Sequence, residues 1–322
     1  MSETRTEALH RNARGLDTQA PAAILSCLAE AQIEAAAAVR AAIPGGGNEH
    51  LARIPAIAAA AETIAAKLRG GGTLAYAAAG SSGLMALADA LELPGTFGIA
   101  RERIRILIAG GAQALETLAG GPEDDTEEAS QAVADAGLGP ADCLIAISAS
   151  GSTPYAVRAI EEAGRRGAAT VAIANNAGAP LLDRAGIAIL LQTPPEVIAG
   201  STRMGAGTAQ KIALNMLSSL TAVHLGHVHD GYMVNLHADN AKLRERATRI
   251  VAAITGRERA EAARLLEESG GAVKIAVLLG AGVKDAAAAR HILERTGQKL
   301  RPALSAIEGT GGTDAPFPSR RT

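Results

Sequence analysis

The stretch Ser148-Ala149-Ser150-Gly151-Ser152-Thr153-Pro154 gathers hydroxyls and glycine directly behind the apolar run Cys143-Leu144-Ile145-Ala146-Ile147, which has the length of a strand. The proline stands where a helix would begin. Its fixed φ suits the first helical turn, and the N–H it lacks would have had no partner there. Several hydroxyls and free backbone N–H groups thus collect at a helix N-terminus, an arrangement that binds phosphate. No lysine follows in the Walker position and no G-x-G-x-x-G spacing is present, so a sugar phosphate is expected rather than a nucleotide. An ordinary polar strand-to-helix connection would look the same, and a second copy tips the balance. Thr73–Ala79 is another strand-like run, and it empties into Gly80-Ser81-Ser82-Gly83. Leu84, Leu87, Ala88 and Leu91 follow at the spacing of an amphipathic helix. Two such units place both loops at the carboxyl edge of one parallel sheet, where open α/β folds bind ligands.

The elements that must position these loops follow from periodicity. Strand-like runs near 73–79, 104–109, 142–147, 169–174 and 186–191 alternate with helical patterns, which implies βαβ units and a parallel sheet. An Ala-rich helix near 51–69 precedes the first strand, and residues 21–42 form a helical arm closed by Pro44-Gly45-Gly46-Gly47. Beyond Gly207 the chain reads as helical near 207–223, 236–255, 258–269, 272–280 and 284–295. The expected organisation is an arm (1–50), an α/β phosphosugar-binding domain (51–223), a helical C-terminal region (224–307) and a loose tail (308–322).

Composition narrows the function class. With 31 basic and 33 acidic residues the net charge is −2, no footprint for nucleic acid or an anionic membrane. Aromatics make up 2% of residues and Trp is absent, which argues against stacking platforms for bases or polymeric sugars. No apolar run is read as a membrane span, and the N-terminus does not lead into a signal-peptide core. Cys27 and Cys143 match no metal or redox spacing and read as buried thiols of a cytoplasmic protein. His224, His227 and His229 lack an accompanying acid pattern and are expected as exposed side chains at a helix end or loop, not on a metal.

In its motifs the chain resembles the N-acetylmuramic acid 6-phosphate etherases of the sugar isomerase (SIS) domain superfamily, over roughly residues 6–305. The strongest block is Gly200-Ser201-Thr202-Arg203-Met204, followed by Ala206-Gly207-Thr208-Ala209-Gln210-Lys211 and Leu214-Asn215-Met216-Leu217. Gly80-Ser81-Ser82-Gly83, Asp89-Ala90-Leu91-Glu92, Glu123-Asp124, Ala149-Ser150-Gly151, Pro195-Glu196-Val197 and Thr6-Glu7 also match. The resemblance implies a three-layer αβα domain with a five-stranded parallel sheet, and helical regions at both ends. It implies a 6-phosphosugar substrate with a D-lactyl ether at C3, cleaved by water without a cofactor to N-acetylglucosamine 6-phosphate and D-lactate. It also implies a homodimer with a shared active site, to which the apolar faces of the C-terminal helices add support.

By the same resemblance Glu92 protonates the departing lactate and Glu123 takes the C2 proton. The local sequence suits both roles. Glu92 precedes the breaker pair Pro94-Gly95, and a carboxylate closing a helix is opposed by the dipole, which favours the acid form. Glu123 follows Gly120-Gly121-Pro122 and is expected to open a helix, where the dipole favours the carboxylate. Without the resemblance, each would pass for an ordinary helix-end acid. Phosphate contacts carry over to Ser81, Ser82, Ser148, Ser150 and Thr153, which can also cap helices, and Glu196 is expected to meet a sugar hydroxyl. Arg203 and Lys211 either stabilise negative charge or form structural ion pairs. Three positions depart from the family: Leu84, Ser152 and Gly205 stand where it carries cations. Phosphate and a lactyl carboxylate both seek such charges. A 6-phosphosugar isomerase and a non-catalytic sugar-phosphate sensor are the rival readings, and the presence of both glutamates favours an enzyme over the sensor.

Overall fold

The computed structural model describes residues 5–8, 10–11, 16–41, 56–118, 120–236 and 240–308. The glycine-rich closure at Pro44, the start of the Ala-rich helix and the tail beyond 308 lie outside them. Five apolar runs form the strands β1 (Leu74–Ala78), β2 (Ile104–Ile108), β3 (Cys143–Ser148), β4 (Ala169–Ala174) and β5 (Ile187–Leu190). All pairings are parallel, in the order β2-β1-β3-β4-β5. Every residue of β1 and β3 is buried, as strands covered on both faces must be.

Helices α1 (Pro21–Ala41), α2 (Ala56–Arg69), α3 (Gly80–Phe97), α4 (Thr126–Asp135), α5 (Pro154–Arg165), α6 (Pro180–Asp183) and α7 (Gly205–His224) accompany the sheet. On one face Tyr155, Ala156, Ala159, Ile160 and Ala163 of α5 pack with Ala75, Ala77, Leu144, Ala146 and Ala172. Helix α2 adds nothing to that cluster and packs on β1, β3 and β5 from the other face. The small side chains let helix and sheet approach closely, the physical use of an alanine-rich composition.

By contact density the chain divides into two compact units, Met1–Ala90 with Glu102–Leu220, and Leu91–Arg101 with Thr221–Thr322. The first holds the sheet. The second holds α8 (Ala241–Thr255), α9 (Arg259–Glu268), α10 (Val273–Gly280), α11 (Ala286–Arg295) and α12 (Leu300–Glu308). Its core is built from Val251, Leu265, Ala276, Val277, Leu278 and Leu293, among others. A two-residue hairpin, β6 (Val228–His229) with β7 (Tyr232–Met233), turns at Asp230 (φ 47°) and Gly231 (φ 78°), so His229 sits in a strand. The three histidines are not exposed as expected: His229 is buried, and His224 and His227 are half-buried. An Asp-Gly pair with positive φ at both residues gives the twist a short hairpin needs.

Three more expectations are corrected. Leu84 and Leu91 are not the buried stripe of α3: they are 37% and 53% exposed, and Ser82, Ala86, Asp89, Ala90 and Leu93 face inward instead. Helix α3 does not stop at Pro94-Gly95. It runs to Phe97, held by buried Leu93 and Phe97, and ends at Gly98. Gly98 has φ +63° and donates to the Pro94 carbonyl at 2.9 Å, a left-handed glycine cap. A Cβ there would lie 2.1 Å from the Asn235 carbonyl oxygen, so backbone packing reserves the place for glycine. Glu92 therefore lies more than a turn inside the helix, and the helix-end argument for it does not hold. Finally, Pro21–Arg40 of α1 is long and apolar enough to span a membrane by length and composition. It nevertheless carries Glu30 and Glu34 near its middle, and Glu34 pairs with Arg11.

Candidate active site

Strand order locates the site. Chain connections diverge between β1 and β3, the switch point at which doubly wound sheets of this 2-1-3-4-5 order open a crevice at their carboxyl ends. Ala78 at the end of β1 is in register with Ile147 of β3 on one side and Ile108 of β2 on the other. The segments leaving these three strands carry Ser81 and Ser82, Ser148 to Thr153, and Glu123. Neighbouring strands lie about 4.8 Å apart, so the three segments emerge side by side.

The segment after β3 is a closed hydroxyl cluster. Ser148 Oγ lies 2.8 Å from Thr153 Oγ1 and 3.2 Å from Ser150 Oγ, and it accepts the Gly151 N–H at 3.0 Å. Ser150 Oγ accepts from Ser152 N–H at 3.2 Å and Ser152 Oγ–H at 3.1 Å. Gly151 has φ +70°, and a Cβ there would lie 2.4 Å from that of Ala179, which fixes the bend. Pro154 opens α5 behind Thr153, as its φ allows. The Gly80–Gly83 segment is no loop: it is the first turn of α3, with Ser82 buried and Ser81 half-buried. Its leading N–H groups therefore lack helical acceptors.

Glu123 stands differently from its expected helix start. It belongs to a 3-10 turn, Gly121–Asp124, while Asp125 caps α4 by accepting the N–H groups of Glu127 and Glu128 at 3.0 and 2.8 Å. Its carboxylate presses on the start of α3, so a Cβ on Gly80 (φ +53°) would lie 2.6 Å from Glu123 Oε1. Burial, and secondarily the charge of Asp124, raises its pKa above the ordinary glutamate value. The shift runs against the expected helix-dipole effect, because desolvation outweighs a dipole that belongs to Asp125.

Glu196 is 3% exposed, and both its oxygens take backbone N–H groups at the start of α7, from Gly205 at 2.9 Å and Ala206 at 2.8 Å. That engagement is a helix anchor. Gly205 is itself buried against it, with Glu196 Oε2 3.1 Å from where its Cβ would stand. Glu92 is exposed on α3 and falls in the second unit. Among the described residues no group of three His, Cys, Asp or Glu is disposed to hold a metal.

Two supports escape a reading of the sequence. Asn176, 6% exposed behind β4, donates to the Ala149 and Ser150 carbonyls at 3.0 and 3.3 Å and to Thr6 Oγ1 at 3.0 Å. It ties both the N-terminal arm and the hydroxyl cluster to the sheet. Its signal was present, since Asn175-Asn176 follows an apolar run as the hydroxyls do. Asp89, 4% exposed, accepts from Tyr76 Oη at 2.8 Å and Ser218 Oγ at 3.0 Å, fixing α3 to β1 and α7. Burial raises its pKa, opposed by those two hydrogen bonds and by the charge of Lys211.

The SIS domain family matches residues 49–175. Over 310 residues, 95% of this chain and 97% of the other, the sequence is 43% identical to the N-acetylmuramic acid 6-phosphate etherase of Deinococcus radiodurans. It is 48% identical over 231 residues to that of Symbiobacterium thermophilum, covering 71% of this chain and 77% of the relative. With that of Streptomyces avermitilis it shares 44% over 255 residues, covering 79% and 82%.

The raised pKa of Glu123 has a thermodynamic consequence. A folded-state pKa above the unfolded one means that the native chain holds more protons between the two values. Stability then falls as pH rises from the unfolded glutamate value, about 4.3, through the raised one. Glu123→Gln removes that loss. Its Tm should exceed that of the wild type at neutral pH, and the gap should close towards pH 4; a gap independent of pH contradicts the assignment.

Proposed function

The chain belongs to the N-acetylmuramic acid 6-phosphate etherase family, and from that membership we propose how its sheet edge does the work. It is a carbon–oxygen lyase that cleaves the C3 D-lactyl ether of N-acetylmuramic acid 6-phosphate, a reaction of cell-wall amino-sugar recycling. The observation that carries the mechanism is the convergence of two hydroxyl-bearing helix starts and a desolvated carboxylate at one switch point.

In our reading the 6-phosphate lies between the first turn of α3 and the cluster after β3, taking hydrogen bonds from Ser81, Ser82, Ser150 and Thr153, with Ser148 shaping the loop. The sugar ring opens to its aldehyde, which acidifies the proton on C2. Glu123 removes that proton, and its raised pKa makes it a stronger base than an ordinary glutamate. The C3–O bond breaks, Glu92 protonates the departing lactate, and water adds to C3 of the unsaturated aldehyde. The steps consume one water and use only proton transfer. Glu196 acts from behind, through the start of α7.

A homodimer with a shared active site completes this reading. Leu84 and Leu91 are exposed on the helix that begins with Ser81 and Ser82 and carries Glu92. Leucine in place of the family's arginine at 84 extends that apolar stripe, which a second copy would cover. Two free, buried cysteines agree with a reducing compartment, and we read the protein as cytoplasmic.

Wild-type protein should release D-lactate from N-acetylmuramic acid 6-phosphate. Glu92→Gln should lower that release by at least about 10²-fold while still exchanging the C2 proton with solvent deuterium, and Glu123→Gln should lose both. Full lactate release by Glu92→Gln contradicts the assignment. Exchange without lactate from the wild type would favour the isomerase reading. In sedimentation velocity at micromolar concentration the wild type should run as a dimer and Leu84→Glu as a monomer; a monomeric wild type overturns the shared site.

A further inference from the structure

The second unit encloses a cavity of about 680 Å³ between the segment that follows α3, the strand-end residues Val234 to Leu236, and the turn from α9 into α10. That volume is within the range of small-ligand sites. No aspartate or glutamate lines it, whereas Lys274 and Arg101 do.

Lys274 is 5% exposed. Its Nζ donates to the Gln298 carbonyl at 3.0 Å, one acceptor for an ammonium with three donors. Among the described residues it forms no ion pair with a carboxylate, and burial pulls its pKa down to about 8. His227 does not offset the charge. Burial and the nearby Lys274 lower its pKa to about 4, and its buried Nδ1 has no hydrogen-bond partner among the described residues. A buried ammonium without a counter-charge is costly, and an anion entering the cavity would relieve that cost.

A second donor set borders the same space. Helix α10 starts at Val273, and its N-cap residue is Ala272, which has no side chain able to accept the first-turn N–H groups. Gly270 and Gly271, at φ +69° and +85°, turn the chain tightly into that start and also line the cavity. Ile99, Leu236 and Leu293 add apolar wall that suits a carbon skeleton, and Asn235 and Gln298 add polar groups beside it. We propose that this cavity is a binding site for a small phosphate monoester, its anionic group held by Lys274 and the uncapped start of α10.

The test uses the full chain and glucose 6-phosphate as probe, titrated by calorimetry at constant ionic strength. The sheet edge and the cavity should together bind two equivalents per chain. Lys274→Met should weaken one of them by roughly 10- to 100-fold, the loss of one charge-assisted hydrogen bond, and leave the other unchanged. Ser150→Ala should weaken the other one. Ala272→Asp supplies the missing cap and a repelling charge, so it should raise Tm and abolish binding at the cavity. This variant decides the matter if Lys274→Met does not fold. A single equivalent that Ser150→Ala weakens and Lys274→Met does not, or binding unaltered by both Lys274→Met and Ala272→Asp, overturns the proposal.

Discussion

The adjacency of β1 and β3 is the constraint on which the site depends. Because the sheet runs β2-β1-β3-β4-β5, the chain leaves β1 and β3 toward different sides of the sheet, and the space between the two departures is not filled by a crossover helix. Two helix starts therefore present their unpaired N–H groups at neighbouring strand ends. The hydroxyls of Ser81, Ser82 and the Ser148–Thr153 cluster occupy positions where a side chain would otherwise cap or cover those groups. β2 lies beside β1 on the other side, and the chain beyond it brings Glu123 back against Gly80. A change of strand order would scatter all three.

The edge is made rigid by polar groups placed where water cannot compete. Asp89 joins α3 to β1 and α7, Asn176 joins the arm to the loop after β3, and Glu196 holds the first two N–H groups of α7. Each is nearly fully buried, so losing one partner leaves another unsatisfied, at a cost of about 1–3 kcal/mol. Glu123 is the exception in kind. Its carboxylate is partly desolvated without a cation beside it among its principal influences, so its basicity comes at the expense of stability. Polar anchors of this sort fix a geometry, whereas Glu123 is the carboxylate that the mechanism proposed above leaves to react.

The central strands β1, β3 and β4 were legible because parallel strands buried on both faces must be apolar throughout. The partly buried edge strands β2 and β5 were legible from their Ile and Leu residues, and each strand was located to within a residue or two. The hydroxyl segments were legible because polarity changes abruptly where those strands end. Less of α3 could be read. Its leucines and alanines put apolar residues on several sides, and Leu84 and Leu91 proved to lie on its exposed stripe while Ala86, Ala90 and Leu93 face inward. Its passage through Pro94 depends on the burial of Leu93 and Phe97, which outweighs a local breaker. The environments of Glu123 and Glu196 depend on contacts with Gly80 and with the start of α7, and no spacing rule encodes those. The Asp230-Gly231 hairpin carried a short-range signal of its own.

The central claim is that the ether is broken by elimination across C2 and C3 and the sugar restored by water. The isotopes of water test this most directly. In deuterated water, elimination must replace the C2 hydrogen of the sugar product with deuterium, whereas direct displacement of lactate at C3 would leave that hydrogen in place and contradict the account. ¹⁸O reports which side of the ether oxygen is cut. With N-acetylmuramic acid 6-phosphate in ¹⁸O-labelled water, elimination sends the ether oxygen out with lactate and returns a solvent oxygen to C3. Mass spectrometry should then find the label in the C3 hydroxyl of N-acetylglucosamine 6-phosphate and none at the C2 hydroxyl of the D-lactate. Label in that lactate hydroxyl, with an unlabelled C3 oxygen on the sugar, would mean that the bond on the lactyl side is cut, and would contradict the account.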